Sequence, residues 1–254
     1  MDLQLKDKIV IVSGGARGIG AGIVRALKAE CAIPVIIGRN DKDTLSAADG
    51  GVTHIIAELT DPVQCENAIK SVIEKYGRID GLVNNAGVND GVGLEKGDYG
   101  QFMASLHKNL VHYYLLVHHA LPELKKSKGP IVNISSKVAE TGQGNTSAYA
   151  AANGGRNALT REWAVELLPH GIRVNAVIVA ECWTPLYENW LKTQDNPDEK
   201  LRAITSKIPF EQRMTTCDEI ANMVVFLLSG RSSHTTGQLI HVDGGYTHLD
   251  RAIS

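Results

Sequence analysis

Residues Lys8 to Glu30 read KIVIVSGGARGIGAGIVRALKAE, and this stretch decides the fold. Lys8 to Val12 is a β-branched apolar run without polar alternation, as in a strand buried on both faces of a parallel sheet. Ser13 ends it. Gly14, Gly18 and Gly20 follow with the spacing G-xxx-G-x-G, and then an amphipathic helix runs to Glu30. Glycines at such a turn let the backbone approach a pyrophosphate. The helix start adds free N–H groups and the positive end of a dipole. A glycine-rich turn alone needs no ligand; between a first strand and a first helix it points to a dinucleotide cradle that includes Ser13, Arg17 and Ile19.

Six further strands are expected, at 33–38, 52–57, 81–83, 131–135, 172–177 and 238–242. Helices alternate with them. Asp61-Pro62 has the form of a helix start, a capping side chain followed by Pro, and Gly77 ends that helix. The pattern predicts an α/β protein: a single doubly wound Rossmann-type domain over residues 1–254, with a seven-stranded parallel sheet and helices on both faces. There is no linker, internal repeat or low-complexity segment.

Bulk properties narrow the function. The 254 residues suit one domain, and 43% hydrophobic residues suffice for its core. A net charge of −2 gives no electrostatic case for nucleic acid or a membrane surface as partner. No apolar run reaches the roughly 18 residues of a spanning helix. Neither a signal peptide nor a CxxC pair is read, so a cytoplasmic protein with reduced cysteines is expected. The nine histidines form no HExxH-like cluster, and no metal site is expected. His107, His112, His118 and His119 are read as packing or surface residues.

Gly38-Arg39-Asn40 ends the second strand where an NAD site commonly carries an acid. A guanidinium matches a phosphate with two parallel hydrogen bonds, and Arg17 could approach the same place. NADP is therefore the expected cofactor, with NAD the alternative. Asn133 to Gly155 reads NISSKVAETGQGNTSAYAAANGG: a strand end, a polar glycine-rich loop, then a helix carrying Tyr149. One loop separates Ser136 from Tyr149, so both hydroxyls can face one crevice at the strand ends.

Ser136-x12-Tyr149, the glycine spacing and the run Asn84-Asn85-Ala86-Gly87 together resemble the short-chain dehydrogenase/reductase family, from Lys8 to Gly245. The resemblance implies that Tyr149 moves the substrate proton and Ser136 holds the substrate oxygen. It implies that Asn109 bends a long helix over 102–121 and holds a water in the proton relay. Glu58 would reach the adenine, Leu59 would lie beside it, Asn85, Ala86 and Gly87 would line the cofactor, and Thr184 would contact the nicotinamide amide. Homotetramers are common in the family, and packing of the Tyr149 helix in a subunit interface is expected by analogy.

One position departs from the pattern. Four residues after the tyrosine the family has a lysine that holds the cofactor ribose and favours the phenolate. Here it is Asn153. An ammonium about 4 Å from a phenolate is worth roughly 4 kcal/mol at an effective dielectric near 20. Asn153 can offer the ribose an N–H but no charge, so weakened activity is expected. The nearby cations are Lys137 and Arg156. Resemblance to the bacterial L-fucose dehydrogenases implies a lysine at the Lys137 position as well as the usual one, which argues against relocation there. Arg156, one turn from Ala152, is not expected to restore the charge.

A narrower resemblance runs to the bacterial L-fucose dehydrogenases, through GLVNNAGVNDGVGL, TGQGNTS, LTREWAVEL, TPLYENW and VDGGYTHLDRA. It implies oxidation of an aldose to a lactone. A second runs to the 17β-hydroxysteroid dehydrogenase type 14 group, leaving a hydroxysteroid or secondary alcohol as alternatives, beside a nucleotide-binding pseudoenzyme. The sugar reading is favoured because Asn89, Gln143, Asn145 and Glu181 crowd the expected site, and a sterol pocket should be mostly apolar. Trp183 and Trp190, seven apart, could present both rings from one helix to a sugar, beside Tyr187. Residues 194–200, polar with a Pro, are expected to form a flexible end to this lid.

Overall fold

A computed structural model describes residues 1–39 and 51–249; Asn40 and the last residues of the VDGGYTHLDRA run lie outside them. Seven strands form one sheet in the order β3-β2-β1-β4-β5-β6-β7. They are β1 (Ile9–Ser13), β2 (Ile33–Gly38), β3 (Thr53–Ile56), β4 (Gly81–Asn84), β5 (Ile131–Ser136), β6 (Val174–Val179) and β7 (Leu239–Val242). Every pairing is parallel. Parallel neighbours need crossover helices, and these cover both faces.

The period-two geometry of a strand shows directly in β1. Ile9 and Ile11 enter one core with Val72, Tyr113 and Trp163; Val10 and Val12 enter the other with Ile23, Leu27 and Ile220. The first core is roofed by α2 (Pro62–Tyr76), α4 (His112–Ser127) and α6 (Ser147–Glu166). The second is roofed by α1 (Gly18–Ala29) and α9 (Cys217–Leu228). Among the described residues no helix is long and apolar enough to cross a membrane.

Helix starts follow their side chains. Asp61 accepts from the backbone N–H groups of Val63 and Gln64, and Gly77 closes α2 at φ +69°. Thr216 and Glu219 form a capping box at the start of α9. The long helix expected over 102–121 is three segments: α3 (Tyr99–Leu106), a π turn (His107–Val111) and α4. Asn109 sits inside the π turn, where the regular hydrogen-bond ladder is interrupted.

The lid beyond β6 also differs from expectation. Thr184 caps α7 (Pro185–Leu191), with Pro185 at its first turn. Trp183 therefore precedes the helix, and its N–H donates to the Thr215 carbonyl at 2.9 Å. The two tryptophans do not share a helical face. Part of the 194–200 segment enters α8 (Pro197–Thr205), capped by Asn196. A short helix, α5 (Val138–Thr141), interrupts the loop between Ser136 and Tyr149.

Gly20 is required by space. A Cβ on Gly20 would lie 2.2 Å from the Gly14 carbonyl oxygen, a backbone atom that cannot swing aside. Gly20→Ala is expected to lower stability by about 1–3 kcal/mol, the usual range for forced overpacking. Chemical denaturation measures it; an unchanged midpoint would show that the turn gives way freely.

Candidate active site

The strand order reverses between β1 and β4, and a groove of about 560 Å³ opens at the C-terminal ends of the strands there. Its floor is built by the turn after β1. Gly14 and Gly18 have φ of +63° and +56°, where a side chain would be strained. No side chain caps the first N–H groups of α1, so they remain available to an anion. Gly14, Arg17, Gly18, Ile19 and Gly20 all line the groove, followed by Arg39, Glu58 and Leu59. Asn85, Ala86, Gly87, Ser136, Tyr149, Thr184 and Tyr187 complete this wall. A glycine-lined floor under an uncapped helix start, with two arginines beside it, fits a dinucleotide.

Several expected contacts have other duties. Ser13 is fully buried, and its Oγ accepts from Asn85 N at 2.9 Å and Ala86 N at 3.1 Å. It fastens the β4 loop to the β1 loop and does not line the groove. Asn85 reinforces this, its Nδ2 donating to the carbonyls of Ser13 and Gly14. Glu58 spends one carboxylate oxygen on Thr60, whose N–H and hydroxyl both donate to it. Asn109 is fully buried; its Oδ1 accepts from Val88 N at 2.8 Å and its Nδ2 donates to the Ser105 carbonyl at 3.0 Å.

The substrate candidates divide. Ser136, Tyr149 and Tyr187 face the groove; Asn89, Gln143, Glu181, Trp183 and Trp190 do not line it. Asn89 is exposed and its Oδ1 accepts from Gly91 N at 3.2 Å, which makes it a turn former. Gln143 is exposed on the loop after α5. Trp190 packs edge-on against Tyr187, with ring centroids 5.2 Å apart. Glu181 is held by Lys137, whose ammonium also lies 3.8 Å from the centre of the Tyr246 ring. Burial, with the Glu181 carboxylate beside it, pushes the Tyr187 phenol up and keeps it neutral.

Asn153 is not on the groove wall either. It is fully buried, its Nδ2 donating to the Tyr149 carbonyl at 2.8 Å and its Oδ1 accepting from Arg156 Nη1 at 3.0 Å. Those bonds use the oxygen and one of the two N–H groups of the amide expected to reach a ribose. Arg156, by contrast, lines the groove. Reading it from Ala152 missed this. Measured from Tyr149 it stands at i+7, two turns along the same helical face.

Other groove residues went unread. His112 is 1% exposed yet lines the groove, and burial together with the Arg156 charge pushes its imidazole down to about 3, so it stays neutral. Cys182 lines it too, its Sγ 4.0 Å from Cys217 Sγ. Away from the groove, Glu140, His241 and His248 come together with ligand-type atoms within 4.8 Å of one another. Chain folding creates that cluster, which no sequence spacing announces. His241 Nε2 already lies 2.9 Å from Glu140 Oε2, a hydrogen-bond contact.

The sequence matches, over residues 14–247, a family model described as enoyl-(acyl carrier protein) reductase. L-Fucose dehydrogenase of Bos taurus is 34% identical over 249 residues, covering 96% of this chain and 91% of that protein. The 3-oxoacyl-acyl-carrier-protein reductase FabG of Thermotoga maritima is 33% identical over 251 residues, covering 96% and 99%. Among solved structures, the Cj0485 dehydrogenase has a TM-score of 0.95 at 44% identity, covering 99% of this chain and 98% of that one. The ligand-free aldohexose dehydrogenase of Thermoplasma acidophilum has a TM-score of 0.90 at 30% identity, covering 99% and 98%.

The Lys137–Glu181 pair gives the site a testable dependence. Its side chains are 7% and 16% exposed. Lys137→Met leaves the carboxylate with its main partner gone, and removing one member of such a pair costs about 3 kcal/mol or more. Denaturant unfolding should show that loss, and pairing the change with Glu181→Met should recover most of it. No recovery would show that the pair is not the source.

Proposed function

This chain belongs to the short-chain dehydrogenase/reductase family, and from that premise we propose that it is an NADP-dependent dehydrogenase oxidising an L-fucose-like aldose to its lactone. It is an oxidoreductase enzyme with a nicotinamide cofactor, acting on a sugar or alcohol. One observation carries the proposal. The glycine cradle and the hydroxyl-bearing side chains Ser136 and Tyr149 line one continuous groove. Relatives named for L-fucose and aldohexose oxidation support the sugar.

In this reading the α1 N-terminus and the turn at Gly14, Gly18 and Gly20 take the pyrophosphate. Arg17 and Arg39 take a ribose phosphate, which favours NADP over NAD. Asn85, Ala86, Gly87 and Thr184 hold the nicotinamide end. When bound, the nicotinamide ring supplies the hydride acceptor. Ser136 Oγ orients the sugar hydroxyl, and Tyr149 Oη takes its proton. Asn109 acts indirectly, by fixing the Val88 backbone at the groove edge.

A homotetramer suits the same reading. Tyr114, Val165 and Leu168 are 50%, 66% and 59% exposed, on or next to α4 and α6, where an analogous interface would cover them. The four cysteines are all free thiols, which suits a cytoplasmic setting.

Formation of reduced nicotinamide, assayed on a panel of aldoses with both cofactors, tests the proposal. L-Fucose-like aldoses with NADP should give the highest kcat/KM. Arg39→Ala should erode the NADP preference by at least about tenfold, one lost charged phosphate contact. Tyr149→Phe should lower kcat by about a hundredfold or more, the usual share of general acid–base catalysis. NADP binding without turnover of any aldose would overturn the sugar assignment.

A further inference from the structure

Asn153 brings no charge to the tyrosine helix, yet the groove wall contains a buried cation. Arg156 is 2% exposed. Its Nε donates to the Asn109 carbonyl at 2.6 Å, and its Nη1 donates to the Ile134 carbonyl at 3.1 Å and to Asn153 Oδ1 at 3.0 Å. Its Nη2 lies 3.5 Å from Asn109 Oδ1. Each of these acceptors is neutral, and among the described residues no salt bridge pairs Arg156 with a carboxylate. A guanidinium stays ionised, and removing it from water without an anion is costly. The Tyr113 ring face, 4.4 Å away, offsets part of that cost.

The surroundings are shaped to admit this side chain. The π turn places the Asn109 carbonyl where Nε reaches it. A Cβ on Gly87 would stand 2.8 Å from Nη2, so glycine at the end of the Asn-Asn-Ala-Gly turn leaves the guanidinium its present place. The guanidinium carbon lies 6.0 Å from the centre of the Tyr149 ring.

The other ionisable groups near this wall are either paired with a carboxylate or uncharged. Lys108 pairs with Asp90 at 3.6 Å, and Lys137 pairs with Glu181. His112 is held neutral, partly by Arg156 itself. Burial keeps the Tyr113 and Tyr187 phenols protonated.

We propose that Arg156 supplies the positive charge that holds the Tyr149 phenolate, in place of the ammonium missing at Asn153. Arg156 is a positioning residue: it acts through Tyr149 and does not touch the substrate. The proposal rests on the reading of Tyr149 as the base. It also reverses the weakened activity that Asn153 alone implies.

Tyrosinate absorbance of the cofactor-free protein tests this without turnover. Subtracting the titration of Tyr149→Phe isolates residue 149. Arg156→Gln keeps hydrogen-bonding capacity and removes the charge; Arg156→Met checks it with a different side chain. Both should move the midpoint up, Arg156→Lys should move it less than either, and Asn153→Lys placed on Arg156→Gln should bring it back. Melting temperature and circular dichroism establish that each variant is folded. A midpoint shared by wild type and the folded neutral variants overturns the proposal. A shift with no aldose oxidised by the wild type supports it while sinking the sugar reading.

Discussion

One hydroxyl joins the two halves of the sheet at the place where strand order reverses. Ser13 Oγ, at the end of β1, accepts from the backbone of Asn85 and Ala86 at the end of β4. Asn85 returns the connection through its side chain, to the carbonyls of Ser13 and Gly14. A parallel sheet covered on both faces leaves only its strand ends open to ligands. The shape of the site therefore depends on how those ends are held relative to one another. Fastening the loops to each other keeps the glycine floor and the opposite wall in fixed register.

The opposite wall is organised around a charge. The guanidinium of Arg156 draws on the π turn, the end of β5 and the amide of Asn153. Asn153 contributes an acceptor to that guanidinium. A lysine at residue 153 and an arginine at residue 156 would place two buried cations in one wall, which like-charge repulsion disfavours. Asparagine at 153 and arginine at 156 are consistent as a pair.

The sequence was informative wherever the determinant was local. Largely apolar runs marked the strands to within two residues, and Asp61-Pro62 with Gly77 bounded α2 at both ends. It was less informative where the determinant was a partner distant in the chain. Glu181 looks like a free sugar acceptor until Lys137, 44 residues earlier, is seen to hold it. Asn89 looks like a site residue until its side chain closes its own turn. Two errors were avoidable. Thr184-Pro185 already implies that Trp183 lies outside the following helix, and the i+7 spacing already puts Arg156 on the Tyr149 face. The π turn had no local signal beyond an asparagine in a helix.

The most direct test of the account is the crystal structure of the complex with oxidised cofactor and an aldose. The account predicts the dinucleotide along the glycine floor, with the reacting sugar hydroxyl within hydrogen-bond reach of both Ser136 Oγ and Tyr149 Oη. A sugar ordered elsewhere, or a dinucleotide that leaves those two oxygens on opposite sides of the bound molecules, would contradict it.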